Sequence, residues 1–199
     1  MPMKIEKASS TGKKPRKLRA DGQRNREQIL LAAKHAFTEN GDRASLDDIA
    51  KKAGVGPGTL YRHFPTREAL LEAVYRSEVE KLVGSAEQLC RELPPLEALR
   101  AWLHLFIEHL ATKKIIGAAF NGLVRGSPMF QENMSKIREA VTMIYDRARK
   151  SGDIRPDIHP VDHILAIVGV TFLGTSEDWK ESATRLVDIL IVGSRPSNS

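Results

Sequence analysis

Thr59, Tyr61, Arg62 and His63 crowd into one short stretch, Thr-Leu-Tyr-Arg-His-Phe. Each can donate a hydrogen bond, and no carboxylate lies among them. On a helix they point outward while Leu60 and Phe64 point inward, a layout for contact rather than for bond making. Catalytic frameworks are missing elsewhere. The chain has no glycine-rich phosphate loop after a strand, no Gly-x-Ser-x-Gly elbow and no His-Glu-x-x-His. His104, His109, His159 and His163 raise the question of metal, and His159 and His163 stand four apart. His159 falls in a proline-flanked loop, however, and no cysteine or acidic pair completes a set of three or four ligands. Neither metal nor cofactor is expected.

The elements that must hold those donors run from Ser45 to Phe64. Ser45 is a good N-cap, with Asp48 three residues on. Leu46, Ile49, Ala50 and Ala53 share one apolar helical face. Gly54 follows where a left-handed cap belongs, and Val55 is the one apolar residue of the turn. Gly56 and Pro57 open a second helix, with proline where no donor is needed, and Pro65 ends it. Two helices with this turn form a helix-turn-helix, whose second helix enters the DNA major groove. Ile29, Leu30, Ala33 and Phe37 predict a supporting helix over residues 23–39, because two short helices alone bury too little surface.

The charge distribution agrees. Net charge is +6. Residues 1–26 hold nine Lys or Arg against Glu6 and Asp21, a net of +7, which leaves −1 for all the rest. A basic arm directly before the helix-turn-helix points to a polyanion. Residues 1–22 are expected to be flexible, with 1–12 a solvated tail and 13–26 near phosphates or a minor groove. No stretch is long and apolar enough to span a bilayer, no apolar run follows the basic N-terminus, and the single cysteine, Cys90, fits a reducing compartment.

Beyond Pro65 the periodicity stays helical. Thr66 caps a long helix reaching Pro94-Pro95. Further helices are predicted from Leu96 to Leu110, Ile115 to Val124, Met129 to Lys150, Asp162 to Leu173 and Glu177 to Val192. The fold class is all-α: a three-helix DNA-binding unit over 23–70, then a helical domain over 71–195, with about nine helices in all.

Taken together, Gly54 to Leu70, with the Asp48-Ile49-Ala50 helix and the Ile29 to Phe37 helix before it, resembles the tetracycline-repressor (TetR) family of bacterial transcriptional regulators. The likeness is specific over roughly residues 23–75. Elsewhere it rests on length, helix number, the terminal hairpin and a Gly-Asp-Ile-Arg-Pro-Asp run at 152–157. The resemblance implies that Thr59, Tyr61 and His63 face double-stranded operator DNA and that Tyr61, His63 and Arg67 donate to phosphates. Ser45 and Lys52 fit phosphate contacts too. Many members carry Ser or Thr at the position of Gly56 and polar residues at that of Pro57. Base reading here therefore falls on Thr59, Arg62 and close backbone approach at Gly58.

The resemblance also implies a small-molecule pocket, for which Trp102, Phe106, His109, Phe120, Asn121 and Met143 are the candidates, with His109 and Asn121 as polar handles. It implies a homodimer formed by the terminal hairpin, through Ile164, Ile167, Val168, Leu186, Ile189 and Leu190. The expected protein is a cytoplasmic, nucleoid-associated, ligand-responsive regulator, most simply a repressor, with no membrane partner. The competing reading is a constitutive DNA-binding regulator with a solid core and no inducer pocket. A helical enzyme carrying a DNA unit would need clustered, perturbed titratable groups, and the sequence shows none.

Overall fold

The computed structural model describes residues 15–119, 128–173 and 178–196, with side chains for 20–112, 128–171 and 178–196. These residues form eight α-helices and one 3-10 turn, with no strand among them: α1 (Pro15–Asn40), a 3-10 turn (Gly41–Arg43), α2 (Leu46–Lys52), α3 (Pro57–His63), α4 (Arg67–Glu92), α5 (Pro95–Ala119), α6 (Pro128–Lys150), α7 (Pro160–Leu173) and α8 (Trp179–Gly193).

Local chemistry sets the boundaries. The Ser45 side chain accepts from the Asp48 amide and Thr66 accepts from Ala69, so both expected N-caps form. After α2, Gly54 adopts φ +69°. Its amide donates to the Lys51 carbonyl and that of Val55 to the Ala50 carbonyl, the paired bonds of a Schellman motif. The end of α6 repeats the motif at Gly152, φ +80°, where Asp153 N–H donates to the Ala148 carbonyl.

Two predicted boundaries move. First, α1 begins at Pro15, not near Gln23, so residues 15–22 of the basic arm are helical. Low apolar content suggested a loose segment, but lysine, arginine, leucine and alanine are all good helix formers, and proline is well placed at a helix start. Second, α5 continues to Ala119, so the helix expected to start at Ile115 is continuous with the one before it up to that point. Residues 1–14, the rest of that segment to Val124 with its Arg125–Ser127 turn, and the Gly174-Thr175-Ser176 bend lie outside the described residues.

Two apolar cores result. Ile29, Ala33, Phe37, Ile49, Leu60 and Phe64 form one, closed by Leu70, Leu71 and Val74 from α4. Tyr75, Val79, Leu82 and Ala86 from the same helix enter the other, with Trp102, Phe106, Ile144, Tyr145, Ile167, Val187 and Ile191. The switch from one core to the other falls between adjacent residues, Val74 and Tyr75.

Candidate DNA-binding face and effector cavity

The α2–turn–α3 unit sits on α1 through Ile49, Ala50 and Leu60, all buried. What remains outside is the predicted face. Tyr61 is 46% exposed. Arg62, Gly56, Pro57 and Gly58 are exposed, and Thr59 is half-buried. A Cβ added at Gly56 or Gly58 would meet nothing within 4 Å, so both stay open to a close-lying backbone. Ser45 and Lys52 are exposed at opposite ends of α2, and Lys52 lies 3.4 Å from Glu39 of α1. Lys51, not singled out from the sequence, is equally exposed; its place in the last turn beside Lys52 was the available signal.

Two of the expected donors are used differently. The Arg67 guanidinium donates to the carbonyls of Ala44, Asp42 (2.8 Å) and Gly41 (3.2 Å), and lies over the Phe37 ring at 5.0 Å. Arg67 is thus turned inward, fastening the 41–44 segment from which α2 starts; of these carbonyls, that of Gly41 also accepts from the Ala44 amide at 3.4 Å. His63 is also partly withdrawn: Nε2 is enclosed and has no hydrogen-bond partner, while the ring lies 6.2 Å from that of Phe64. Burial, helped by the charges of Arg62 and Arg26, lowers its pKa from the ordinary histidine value, so at neutral pH it is an uncharged donor or acceptor. Arg26 of α1 stacks over Phe64 at 5.5 Å, which brings part of the basic arm to the end of α3.

Behind this unit, α5, α6 and α7 line a half-open apolar cavity of about 340 Å³. Phe106 and Leu110 line it from α5, Phe130, Met134 and Val141 from α6, and Ile164 and Val168 from α7. Of the expected pocket residues that are described, Phe106 alone is among these. Trp102 is fully buried, stacks on Phe106 at 5.8 Å and donates from Nε1 to the Leu82 carbonyl of α4 (3.0 Å), so it is a core residue behind the cavity wall. His109 is buried between Tyr75 (5.7 Å) and Phe106 (6.2 Å). Burial raises the Tyr75 hydroxyl to about 12. Met143 is 40% exposed on the outer face of α6, in an open recess with Thr142, Asp146 and Arg147, and not in the interior. It lies two residues from Val141, about 200° round the helix, so the two face opposite ways. Phe120 and Asn121 lie outside the described residues.

The terminal helices also shift one expectation. Ile167 is fully buried in the core, and Ile164 and Val168 face the cavity. Leu186 and Leu190 are half-buried, and Ile189 is 67% exposed. Leu165 (62%) and Val192 (63%), missed from the sequence, join Ile189 as uncovered apolar side chains. In an almost wholly apolar helix such as α7, periodicity does not separate inner from outer faces.

His159 and His163 diverge. His159 is exposed and its Nδ1 accepts from the Val161 amide at the start of α7, whereas His163 is buried against Tyr145 and hydrogen-bonds Ser194 Oγ at 3.1 Å. Among the described residues no group of three or more His, Cys, Asp or Glu could hold a metal ion, and no helix is long and apolar enough to cross a membrane.

Comparison with known proteins agrees with this architecture. Residues 29–74 match the family described as bacterial regulatory proteins, tetR family. Residues 94–196 match the SbtR-like transcriptional regulator C-terminal domain. The chain is 42% identical to the TetR transcriptional regulator SCO0520 from Streptomyces coelicolor, a solved structure, covering 86% of this chain and 99% of that one with a TM-score of 0.76. A TetR transcription regulatory protein from Mycobacterium vanbaalenii is 28% identical, with 90% and 99% coverage and a TM-score of 0.73. The regulator UidR of Escherichia coli (strain K12) is 28% identical over 167 residues, 78% of this chain and 82% of that protein. These relatives are transcriptional regulators, not enzymes, and this chain belongs to the TetR family of helix-turn-helix transcriptional regulators.

Proposed function

We propose that the chain is a ligand-responsive repressor: as a homodimer it holds a near-palindromic operator, and a small, mostly apolar molecule in the α5–α7 cavity releases it. The observation that supports this reading is a short mechanical path. Phe106 lines the cavity, Trp102 stacks on Phe106, and Trp102 is hydrogen-bonded to Leu82 of α4. The same α4 closes the DNA-binding core with Leu70, Leu71 and Val74. A ligand that repacks Phe106 therefore acts on the helix that sets the attitude of α3. It shifts the equilibrium only as far as it prefers one attitude of α4 over the other. The cavity beside Phe106 also favours this reading over a solid-core, constitutive regulator.

Thr59, Arg62 and the open backbone at Gly56–Gly58 are the base-reading elements, while Ser45, Lys51, Lys52, Tyr61 and His63 are the candidates for phosphate. Leu165, Ile189 and Val192 provide the surface through which α7 and α8 pack on their symmetry mates. Two α3 helices then lie about one DNA turn apart, roughly 34–36 Å. The test is selection of bound sequences from random DNA, followed by titration of the best one at several salt concentrations. The expected result is a two-fold site with a log–log salt slope near −0.9 per phosphate neutralised. Full-affinity binding by a monomer, or binding that ignores salt, would sink the proposal.

A further inference from the structure

The cavity carries information about what fills it. Its described lining is apolar except at one place, the rim, where Arg138 of α6 reaches it. Arg138 is exposed and makes no ion pair among the described residues, although Glu132 and Glu139 stand on the same helix. Those neighbours are engaged: Glu132 is bound by Lys136 and Glu139 accepts from Ser135 Oγ. Arg138 thus remains an uncommitted planar fork of donors at the mouth of an apolar chamber.

We infer that the effector is a small amphiphilic carboxylic acid, its apolar body inside the cavity and its carboxylate on Arg138. This rests on the ligand-responsive reading above. Three features argue for it together. The interior offers no polar group beyond Arg138 among the described lining residues, so a ligand polar along its length would lose hydrogen bonds on entry. A guanidinium matches a carboxylate through two parallel hydrogen bonds, a geometry that an alcohol cannot return. The volume of about 340 Å³ holds roughly 11 water-sized groups at about 30 Å³ each, which sets the size near a medium-chain or single-ring acid. The cation at the rim rather than the centre lets the charged head stay partly wet, so the acid enters ionised.

Decanoate and 1-decanol, both below their aggregation limits, test this on the full chain by calorimetric titration and by release of the selected operator. Decanoate is expected to bind at least about tenfold more tightly than 1-decanol and to release DNA. Arg138→Gln is expected to weaken decanoate by roughly 10- to 100-fold and leave 1-decanol unchanged, because a charge-assisted fork is lost and the apolar chamber is not. Arg138→Lys, which keeps the charge but not the fork, is expected to fall between. Ile164→Trp, filling the chamber from a half-buried position, is expected to block the binding of both probes in the calorimetric titration. Equal binding of acid and alcohol, or decanoate binding indifferent to Arg138→Gln, overturns the acid assignment and leaves the regulator reading intact. Failure of both probes to bind also overturns it. Loss of operator binding by the unsubstituted protein would instead be a failure of the regulator reading.

Discussion

Arg67→Ala separates two roles that the same residue could serve. In the structure its guanidinium donates to three carbonyls at Gly41, Asp42 and Ala44 and covers Phe37. A hydrogen bond from a charged donor is worth about 1.5–3 kcal/mol, and the bond to Asp42 is exposed and counts for less. The stacking on Phe37 adds about 0.5–1 kcal/mol. Against these stands a cation in the first turn of α4, unfavourable by about 0.3–1 kcal/mol. With the two part-buried bonds counted in full, a net loss of about 3–6 kcal/mol follows, or a thermal midpoint lower by roughly 6–24 °C for a chain of this length. DNA affinity falls as well, because the freed segment carries the start of α2. The salt slope does not change, since no phosphate contact is removed. Calorimetric melting and fluorescence anisotropy at several salt concentrations read both quantities. If the variant melts like the parent and its salt slope is shallower by about 0.9, Arg67 is a phosphate ligand and the fastening role is wrong.

Gly54→Ala is expected to cost about 1–2 kcal/mol in urea unfolding, entirely from the left-handed backbone, because the added methyl meets nothing within 4 Å. Ile189→Glu and Leu165→Glu are expected to shift the protein toward monomer in sedimentation and to weaken operator binding, with little effect on the unfolding of each subunit. His163 and Glu78 are expected to define two acid windows of stability. Burial lowers the His163 pKa, against weaker opposing effects of a bond to Leu190 and of Asp162. The unfolded chain therefore takes the proton first, and stability drops as pH falls below about 6.5. His163→Phe should remove that limb from a stability–pH profile. Burial alone would raise Glu78, but hydrogen bonds and charge from Lys34 and Lys81 outweigh it and hold the carboxyl low. Its contribution is complete above the ordinary glutamate value and is lost as pH falls through the lower folded one, so Glu78→Gln should flatten only the more acid limb.

The sequence was most legible where backbone chemistry dictates one answer. Ser45, Gly54, Pro57, Thr66 and Gly152 mark helix ends by hydrogen bonding and φ alone, and all five sit at the ends they indicated. The outward side of α3 was legible because Leu60 and Phe64 are the only large apolar residues in a polar stretch. Legibility failed where composition is uniform. Along α7 nearly every residue is apolar, so Ile167 could not be told from Leu165, one in the core and one on the surface. Met143 and Val141 differ only by rotation about α6. The inward bonds of Arg67 were not legible for another reason: the Gly41, Asp42 and Ala44 carbonyls lie more than twenty positions away in sequence and meet its guanidinium only in space. The cavity is legible only in three dimensions, because its walls come from three helices spread over more than sixty positions of the chain.

The division of α4 between two cores bears on how far a ligand's effect can travel. Had the helix met only one core, repacking near Phe106 would relax within the C-terminal domain. Instead Val74 and Tyr75, neighbours in sequence and about 100° apart around the axis, are each fully committed to a different apolar cluster. A rotation or tilt that relieves Tyr75 must disturb Val74, Leu71 and Leu70, since a packed core resists continuous deformation. The tie between Lys34 and Glu78 joins α1 to the same helix just beyond that crossing. The DNA unit is therefore expected to follow α4 as a rigid piece, with Gly54 and the α2–α3 angle unchanged. Effector action would then show as altered spacing between two intact recognition helices, and hydrogen exchange in residues 46–63 should stay as slow with effector as without it.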